Sequence, residues 1–226
     1  MAMNSLNKKA LPSGVWEELL PHALKVIEDI KTHGIKNPFW TFGGGTVLML
    51  RYQHRISKDI DIFVPDPQYL GFATPRLSDV AAEISDDYIE ESSSYVKLIR
   101  PEGEIDFVAS PNLTSPGFEE WHLKNNLIKV ETGTEIVAKK LWHRGDRATA
   151  RDLFDLALVI EKEGDALRQA HHFLLKNADQ FIEQLNSRRE ILTVQFNNIE
   201  ILNYNPTYDE ALGIATKFLN TLKSKK

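Results

Sequence analysis

The sequence predicts an α/β (α+β) protein in which a small mixed sheet is followed by a helical C-terminal part. Between residues 39 and 64, an apolar segment, a glycine turn, a short helix and a strand follow one another. Two β-rich runs flank Pro101-Glu-Gly, which is a hairpin signal. From Thr132 onward, helical spacing dominates. We therefore predict a core over residues 1–130 and a helical domain over residues 131–226.

Composition limits the class of protein. The 226 residues suffice for one large domain or two small ones, and 42% hydrophobic with 26% charged residues is ordinary for a soluble globular chain. There is no cysteine, which excludes disulfides and thiolate metal sites and fits a reducing, cytoplasmic location. No apolar run reaches the length of a membrane span, and the first residues lack the apolar core of a signal peptide. The net charge of -5 argues against a protein that coats nucleic acid.

A turn rich in glycine follows the N-terminal helix and an apolar segment. Residues up to Pro12 read as a loose tail, and Ser13 is the predicted cap of a long amphipathic helix that ends near Gly34. After the apolar segment 39–42, Gly43-Gly-Gly45 can adopt backbone angles closed to other residues. Thr46 is then predicted to open a helix whose free N–H groups point back at the turn, a favourable place for phosphate oxygens.

Three carboxylates are predicted to leave the sheet on its polar side. Asp59-Ile-Asp-Ile-Phe-Val64 alternates with period two, which places Asp59 and Asp61 on one face and the apolar residues on the other. In the second run of the predicted hairpin, Asp106 alternates with Ile105 and Phe107 in the same way. The acidic run over residues 86–91 is interpreted as a solvated face.

The helical part contains three capping-box patterns. Thr132 with Glu135 predicts a helix to about residue 143, and Thr149 with Asp152 predicts another to about residue 160. Residues 165–185 and 207–222 are predicted to be amphipathic helices, the second with its own capping box. One more strand is predicted over residues 127–130.

The chain also carries small, basic and acidic residues at a recognisable spacing: Gly44, Gly45, Thr46, Arg55, Ser57, Asp59 and Asp61. This pattern resembles the Gly-Gly-Thr and Arg-x-Ser-x-Asp-x-Asp signature of the AbiEii/AbiGii toxins, within the DNA polymerase β-like nucleotidyltransferase superfamily. Where this chain has Thr46 the superfamily often has serine, which keeps the hydroxyl. The second half of the pattern is a lysine on one helix and Arg-Asp-x-x-Asp on the next. The resemblance covers roughly residues 39–160.

The resemblance implies a polymerase β-like core and a metal-dependent site. Asp59, Asp61 and Asp106 would hold two Mg²⁺ ions about 3.5–4 Å apart, since hard oxygen ligands suit that ion. Four residues would bind the nucleoside triphosphate substrate, three at the glycine turn and one before the strand: Gly44, Gly45, Thr46 and Ser57. Without the resemblance, three aspartates on a solvated face and a tight turn explain the same residues, and Arg55 and Ser57 can simply fix the turn before the strand.

Lys140 is expected to neutralise triphosphate charge and is counted with the catalytic residues. Lys139, its neighbour, lies on a different helix face. Asp152 is the preferred candidate to orient Lys140 or the base, while Arg151 and Asp155 are four residues apart and could pair on a helix. The histidines show no metal-ligand spacing and receive no role.

The resulting hypothesis is an Mg²⁺-dependent transfer of a nucleotide from an NTP to a hydroxyl, such as an RNA or tRNA 3′ end, with release of pyrophosphate. The resemblance further implies the toxin of an abortive-infection toxin–antitoxin pair, with a cognate antitoxin as partner and no membrane. Three alternatives remain open at this stage: a small-molecule nucleotidyltransferase of the aminoglycoside-modifying kind, a metal-dependent glycosyltransferase with Asp-x-Asp, and a non-catalytic nucleotide- or RNA-binding module.

Overall fold

A computed structural model describes residues 11–224, so the predicted N-terminal tail lies almost wholly outside the described residues. The described chain contains ten α-helices: α1 Trp16–Thr32, α2 Gly44–Tyr52, α3 Leu70–Ala73, α4 Asp79–Ile84, α5 Gly133–Arg144, α6 Ala150–Gln169, α7 His171–Leu175, α8 Ala178–Ser187, α9 Arg189–Asn197 and α10 Tyr208–Lys223. It also contains seven strands: β1 Thr41–Gly43, β2 Ile60–Val64, β3 Tyr88–Glu91, β4 Tyr95–Ile99, β5 Glu104–Ala109, β6 Phe118–Leu123 and β7 Asn126–Glu131.

The strands form one mixed sheet in the order β3-β4-β5-β2-β1-β7-β6. The pairs β2–β5 and β1–β7 are parallel, whereas the other neighbours are antiparallel. The sheet confirms the predicted mixed α/β class. The central strand β2 and its neighbour β1 carry the Asp-x-Asp pair and the glycine turn into the middle of the sheet.

Alternation along β2 separates the two faces of the sheet. Ile60, Ile62 and Val64 are buried on the face against which α1 packs. Asp61 and Phe63 point to the other face, where the Lys139 ammonium of α5 lies 4.0 Å from the Phe63 ring centroid. The helical part is thus joined to the sheet on its polar side. One continuous cluster of buried side chains includes both halves, and the division at residue 130 stays a prediction.

The segment before β2 is also held from the C-terminal half. The backbone N–H of Ile56 donates to Glu200 O at 2.8 Å, and that of Leu202 donates to His54 O at 2.8 Å. Arg55 and Ile201 form an antiparallel bridge between these bonds. Residues 200–202 therefore fix the backbone that precedes the Asp-x-Asp pair.

Several local predictions differ from the structure. The first helix begins at Trp16 rather than at Ser13. Helix α5 has Thr132 as its cap, but the Glu135 carboxylate accepts from the backbone of Leu113 and Thr114, so no reciprocal box forms. The acidic run is largely exposed, as predicted, but it also contains the edge strand β3, which was not predicted and which forms because pairing with β4 outweighs the low strand propensity of its acids. Strand β6 and helix α9 were not predicted.

Candidate active site

The glycine turn joins β1 to α2, and side chains of the site pack directly against it. Gly44 has φ +73°, a conformation that favours glycine, and a Cβ there would overlap the Asp61 carboxylate. A Cβ at Gly45 would lie 2.7 Å from an Arg55 guanidinium nitrogen and 2.9 Å from Ser57 Oγ. Helix α2 begins at this turn, so its first N–H groups and its positive dipole end lie beside Asp61.

The hydroxyl of Thr46 makes a contact that the sequence did not predict. It donates to the backbone carbonyl of Asp59 at 2.5 Å, and its side chain is fully buried. The bond ties the first turn of α2 to the residue just before β2. Binding of phosphate by this hydroxyl stays a prediction, since the structure gives it a structural partner.

The predicted carboxylates stand on neighbouring strands. Asp61 is the register partner of Asp106 in the parallel pair β2–β5, so their side chains leave the same sheet face side by side. Asp59 lies one residue before β2, and its Oδ1 accepts the backbone N–H of Glu104 at 3.1 Å. The next position across the sheet is Lys97 on β4, whose ammonium lies 3.5 Å from Asp106 Oδ2.

The charges of these acids influence one another. Burial raises the pKa of Asp61, and the charge of Asp59 raises it further, although Lys140 and Arg144 oppose the change. Burial and the charge of Asp61 raise the pKa of Asp106 to about 7. Burial and the neighbouring carboxylate thus both disfavour the ionised form of Asp106, and burial does so for Asp61.

These residues fit a hard divalent cation. The three acids supply only oxygen donors, and the buried Asp106 Oδ1 has no hydrogen-bond partner among the described residues. Within residues 11–224, no three acidic or histidine side chains are placed closely enough to cage an ion already. Assigning the metal to Asp59, Asp61 and Asp106 is therefore a proposal supported by donor chemistry and by the unpaired oxygen.

Facing the acids, α5 and α6 supply a cluster of paired charges. Lys140 Nζ lies 2.5 Å from Asp155 Oδ2 and 3.1 Å from Asp152 Oδ1, and its side chain is 11% exposed. Arg55 donates to both Asp155 oxygens, from Nε at 2.8 Å and Nη2 at 2.9 Å. Asp155 therefore pairs with Arg55 and not with Arg151, whose side chain is exposed.

Asp152 holds a second set of contacts. One oxygen accepts from Arg144 at 2.6 Å, and the other accepts from Thr149, completing the predicted capping box of α6. Burial alone would raise the pKa of Asp152, but Lys140 and Arg144 hold it below its ordinary value. Both aspartates of the Arg-Asp-x-x-Asp motif are thus buried and both contact Lys140.

The structure thus brings together a glycine turn, strand carboxylates and a lysine between two helix aspartates. The family model that matches the chain is described as the nucleotidyl transferase AbiEii toxin of type IV toxin–antitoxin systems, and it covers residues 28–213. The chain belongs to the AbiEii family. It is a nucleotidyltransferase.

Other relatives of this AbiEii-family chain are distant. An uncharacterized protein, aq_aa25 of Aquifex aeolicus, is 25% identical over 154 residues, which are 67% of this chain and 72% of the relative. The solved structure of JHP933 from Helicobacter pylori is 18% identical with a TM-score of 0.47 and covers 93% of each chain. An antigenic nucleotidyltransferase-like protein from Paracoccidioides brasiliensis is 16% identical with a TM-score of 0.42, covering 80% of this chain and 95% of that one.

Behind the glycine turn, the AbiEii-family chain buries an ion pair that the sequence did not predict. Glu131 at the end of β7 accepts from Lys139 Nζ at 2.6 Å and from the Thr41 hydroxyl at 2.7 Å. Its other oxygen is buried without a partner in the described chain and lies against Gly43. Burial raises the pKa of Glu131 to about 7, although Lys139 and Thr41 oppose that change.

His54 also belongs to the site, although no role was predicted for any histidine. Its ring is fully buried, and Nε2 lies 2.9 Å from Asp155 Oδ1. Burial lowers the pKa of His54, while the Asp155 carboxylate opposes this change. Its only sequence signal was adjacency to Arg55, because the partner Asp155 lies about a hundred residues away.

In residues 11–224, no helix is long and apolar enough to cross a membrane.

Proposed function

We propose that this enzyme transfers a nucleotide from an NTP, bound with Mg²⁺, to a hydroxyl of RNA such as a tRNA 3′ end. The hydroxyl oxygen would bond to the α-phosphorus as the bond to the β-phosphate breaks, with release of pyrophosphate. The observation that carries the proposal is the row formed across the sheet by Gly43, Asp61 and Asp106, which are register partners on β1, β2 and β5. A backbone cradle and two carboxylates at adjacent positions suit a triphosphate and its metal. Lys140 on the opposing helix acts electrostatically on Asp61.

Each part has a proposed task. The N–H groups at the start of α2, over Gly44 and Gly45, bind phosphate oxygens. The Lys140 ammonium contacts the triphosphate and neutralises part of its charge, while Asp152 and Asp155 keep the ammonium oriented. Asp59, Asp61 and Asp106 hold Mg²⁺. When bound, the metal supplies Lewis-acid stabilisation of phosphate charge and activates the attacking hydroxyl.

The RNA acceptor is supported by exposed positive charge beside the site. Arg147 has a side chain 76% exposed, and Arg151 at the start of α6 is exposed as well. Arg144 is half exposed but is committed to Asp152. Two exposed guanidinium groups next to the Lys140 helix suit a phosphodiester backbone, which binds through such charge.

The family description supports a proposal for the biological role. We propose that the enzyme is the toxin of a toxin–antitoxin pair acting in abortive infection, and that a cognate antitoxin counteracts it. Modification of an RNA needed for translation would account for toxicity. Expression of the chain alone should then arrest growth, whereas Asp61→Asn should not.

Incubation with each labelled NTP, Mg²⁺ and total RNA tests the reaction. We expect label in a discrete RNA band for the parent and none for Asp61→Asn. Asp86→Asn, which changes an exposed acid outside the site, should keep full transfer. Label in a small-molecule fraction, with RNA unlabelled, would instead identify an enzyme of the aminoglycoside-modifying kind.

A further inference from the structure

The row of residues across the sheet continues beyond the carboxylates to a lysine. In register, Asp61 on β2 is followed by Asp106 on β5 and then by Lys97 on β4. Since opposite residues leave the same face of a sheet, Lys97 stands beside the third carboxylate at the end of the row distant from the glycine turn. No role for this lysine follows from the nucleotidyltransferase signature in the sequence.

Lys97 contacts only one side of Asp106. Its ammonium lies 3.5 Å from Asp106 Oδ2, whereas Oδ1 is buried without a hydrogen-bond partner in the described chain. The second partner of Lys97 is the carboxylate of Glu104, to which it donates a hydrogen bond. The Lys97 side chain is 23% exposed and that of Glu104 is 39% exposed, so this pair lies at the mouth of the site.

We propose that Lys97 is a positioning residue that serves as an internal cation for Asp106 in the metal-free enzyme and yields this carboxylate when a divalent cation binds. The proposal rests on the metal site of the proposed function. An ammonium at this distance offsets part of the repulsion between Asp61 and Asp106. The same charge opposes entry of a second cation, so lysine and metal compete for one carboxylate.

The geometry allows the exchange at little cost. Lysine has a flexible four-carbon stem and a compact charge, so its ammonium can withdraw from Asp106 without backbone movement. Glu104 remains the partner of Lys97 after withdrawal, so Lys97 loses its contact with Asp106 but keeps an ion pair. Metal binding therefore moves one positive charge from the row of carboxylates toward the rim.

Binding of Mn²⁺ alone to the full-length, metal-stripped protein, measured by titration calorimetry without nucleotide, tests this competition. We expect Lys97→Met to bind Mn²⁺ about threefold to tenfold more tightly than the parent, the range for one partly screened charge. Lys97→Arg keeps the charge and should bind within about twofold of the parent. Lys31→Met, which loses an exposed lysine of α1 and its pair with Glu28, should match the parent.

The outcomes separate this inference from the metal site itself. Tighter binding by Lys97→Met, with the other two variants unchanged, supports the competition; a merely structural lysine would alter the melting temperature and leave metal affinity unchanged or weaker. Should Lys97→Met not fold, Lys97→Gln takes its place, with the same expectation. Unchanged or weaker Mn²⁺ binding in the neutral variant overturns the inference alone. Failure of the parent to bind Mn²⁺ overturns the proposed metal site and this inference together.

Discussion

Arg55 and Asp155 form a buried bidentate ion pair across a hundred residues of chain, with N–O distances of 2.8 and 2.9 Å. Arg55 lies just before the Asp-x-Asp strand and Asp155 lies on α6. The same carboxylate contacts His54 and Lys140, so one side chain connects the sheet, the glycine turn and the helical half. The Asp155 carboxylate thus also fixes the position of the Lys140 ammonium.

Asp155→Asn is expected to lower the free energy of unfolding at pH 7 by about 3 kcal/mol, the lower end for breaking a buried ion pair. Burial would raise the pKa of Asp155, but Arg55, Lys140 and His54 hold it well below its ordinary value. A lowered folded-state pKa stabilises the fold above the unfolded value and loses that contribution as the pH falls through the folded one. The deficit should therefore shrink below about pH 4.

Urea unfolding of the parent and Asp155→Asn at pH 7 and pH 3.5 measures this difference. Asp165→Asn, on the same helix but with a 97% exposed side chain, is the control and should change stability little at either pH. A deficit of equal size at both pH values would contradict an origin in the carboxylate charge.

Substitution of Lys140 should affect NTP binding, whereas substitution of Lys139 should affect stability. Lys140→Ala is expected to weaken NTP binding with a modest effect on folding, because its ammonium is the partly exposed one that faces Asp61. Lys139→Ala leaves Glu131 buried without its cation and should lower stability by about 3 kcal/mol. Fluorescent-NTP titration and urea unfolding of both variants measure the two effects. A larger loss of NTP affinity in folded Lys139→Ala would reverse the assignment.

The sequence predicted the local elements of the site better than its connections. The alternation around Asp61 and Asp106 is a period-two pattern, so the sequence showed that each lies opposite the apolar residues of its own strand. The Thr149 capping box is likewise local. By contrast, Arg55–Asp155 and Glu131–Lys139 need the sheet order and the packing of α5, which no spacing in one sequence encodes. Both pairs are buried charges whose partners tertiary structure alone supplies.

The same reason explains the missed elements. Strand β3 carries the acids Glu90 and Glu91, which depress strand propensity, and it forms because β4 offers an antiparallel partner. Helix α6 was predicted to end near residue 160 but continues to Gln169 through a non-helical residue, Glu163. The Glu163 carboxylate binds Thr134 at the start of α5 and the Tyr52 hydroxyl, contacts that no helical period reveals.

Arg147 offers a test of the RNA acceptor. If RNA is bound through phosphates, its affinity should fall steeply with salt, and Arg147→Glu should flatten that dependence. Arg144→Glu is a poor choice, since it would place an acid against the buried Asp152. Binding of tRNA between about 50 and 200 mM salt measures the slope. Lys217→Glu, an equal charge change at an exposed position of α10, is the control, and equal flattening by both variants would remove Arg147 from the interface.

Asp61→Asn tests whether Asp61 serves the reaction or stabilises the fold. In metal-free protein the acids repel one another, and the raised pKa values of Asp61 and Asp106 mean that their ionised forms destabilise the fold. A raised folded-state pKa makes stability fall as the pH rises from the unfolded value toward the folded one, which is about 7 for Asp106. Removing one charge should therefore leave the melting temperature at pH 8 unchanged or higher.

The same variant should lose the stabilisation that Mg²⁺ plus NTP gives the parent, because ligand that no longer binds cannot shift the unfolding equilibrium. Melting curves at pH 8, with chelator and then with Mg²⁺ and NTP, measure both effects, and Asp86→Asn should follow the parent in each. If Asp61 instead made a structural hydrogen bond, Asp61→Asn would lower stability by about 1–3 kcal/mol in chelator. A clear fall in the metal-free melting temperature would thus assign Asp61 to the fold, whereas an unchanged or higher value with no ligand response would assign it to the reaction.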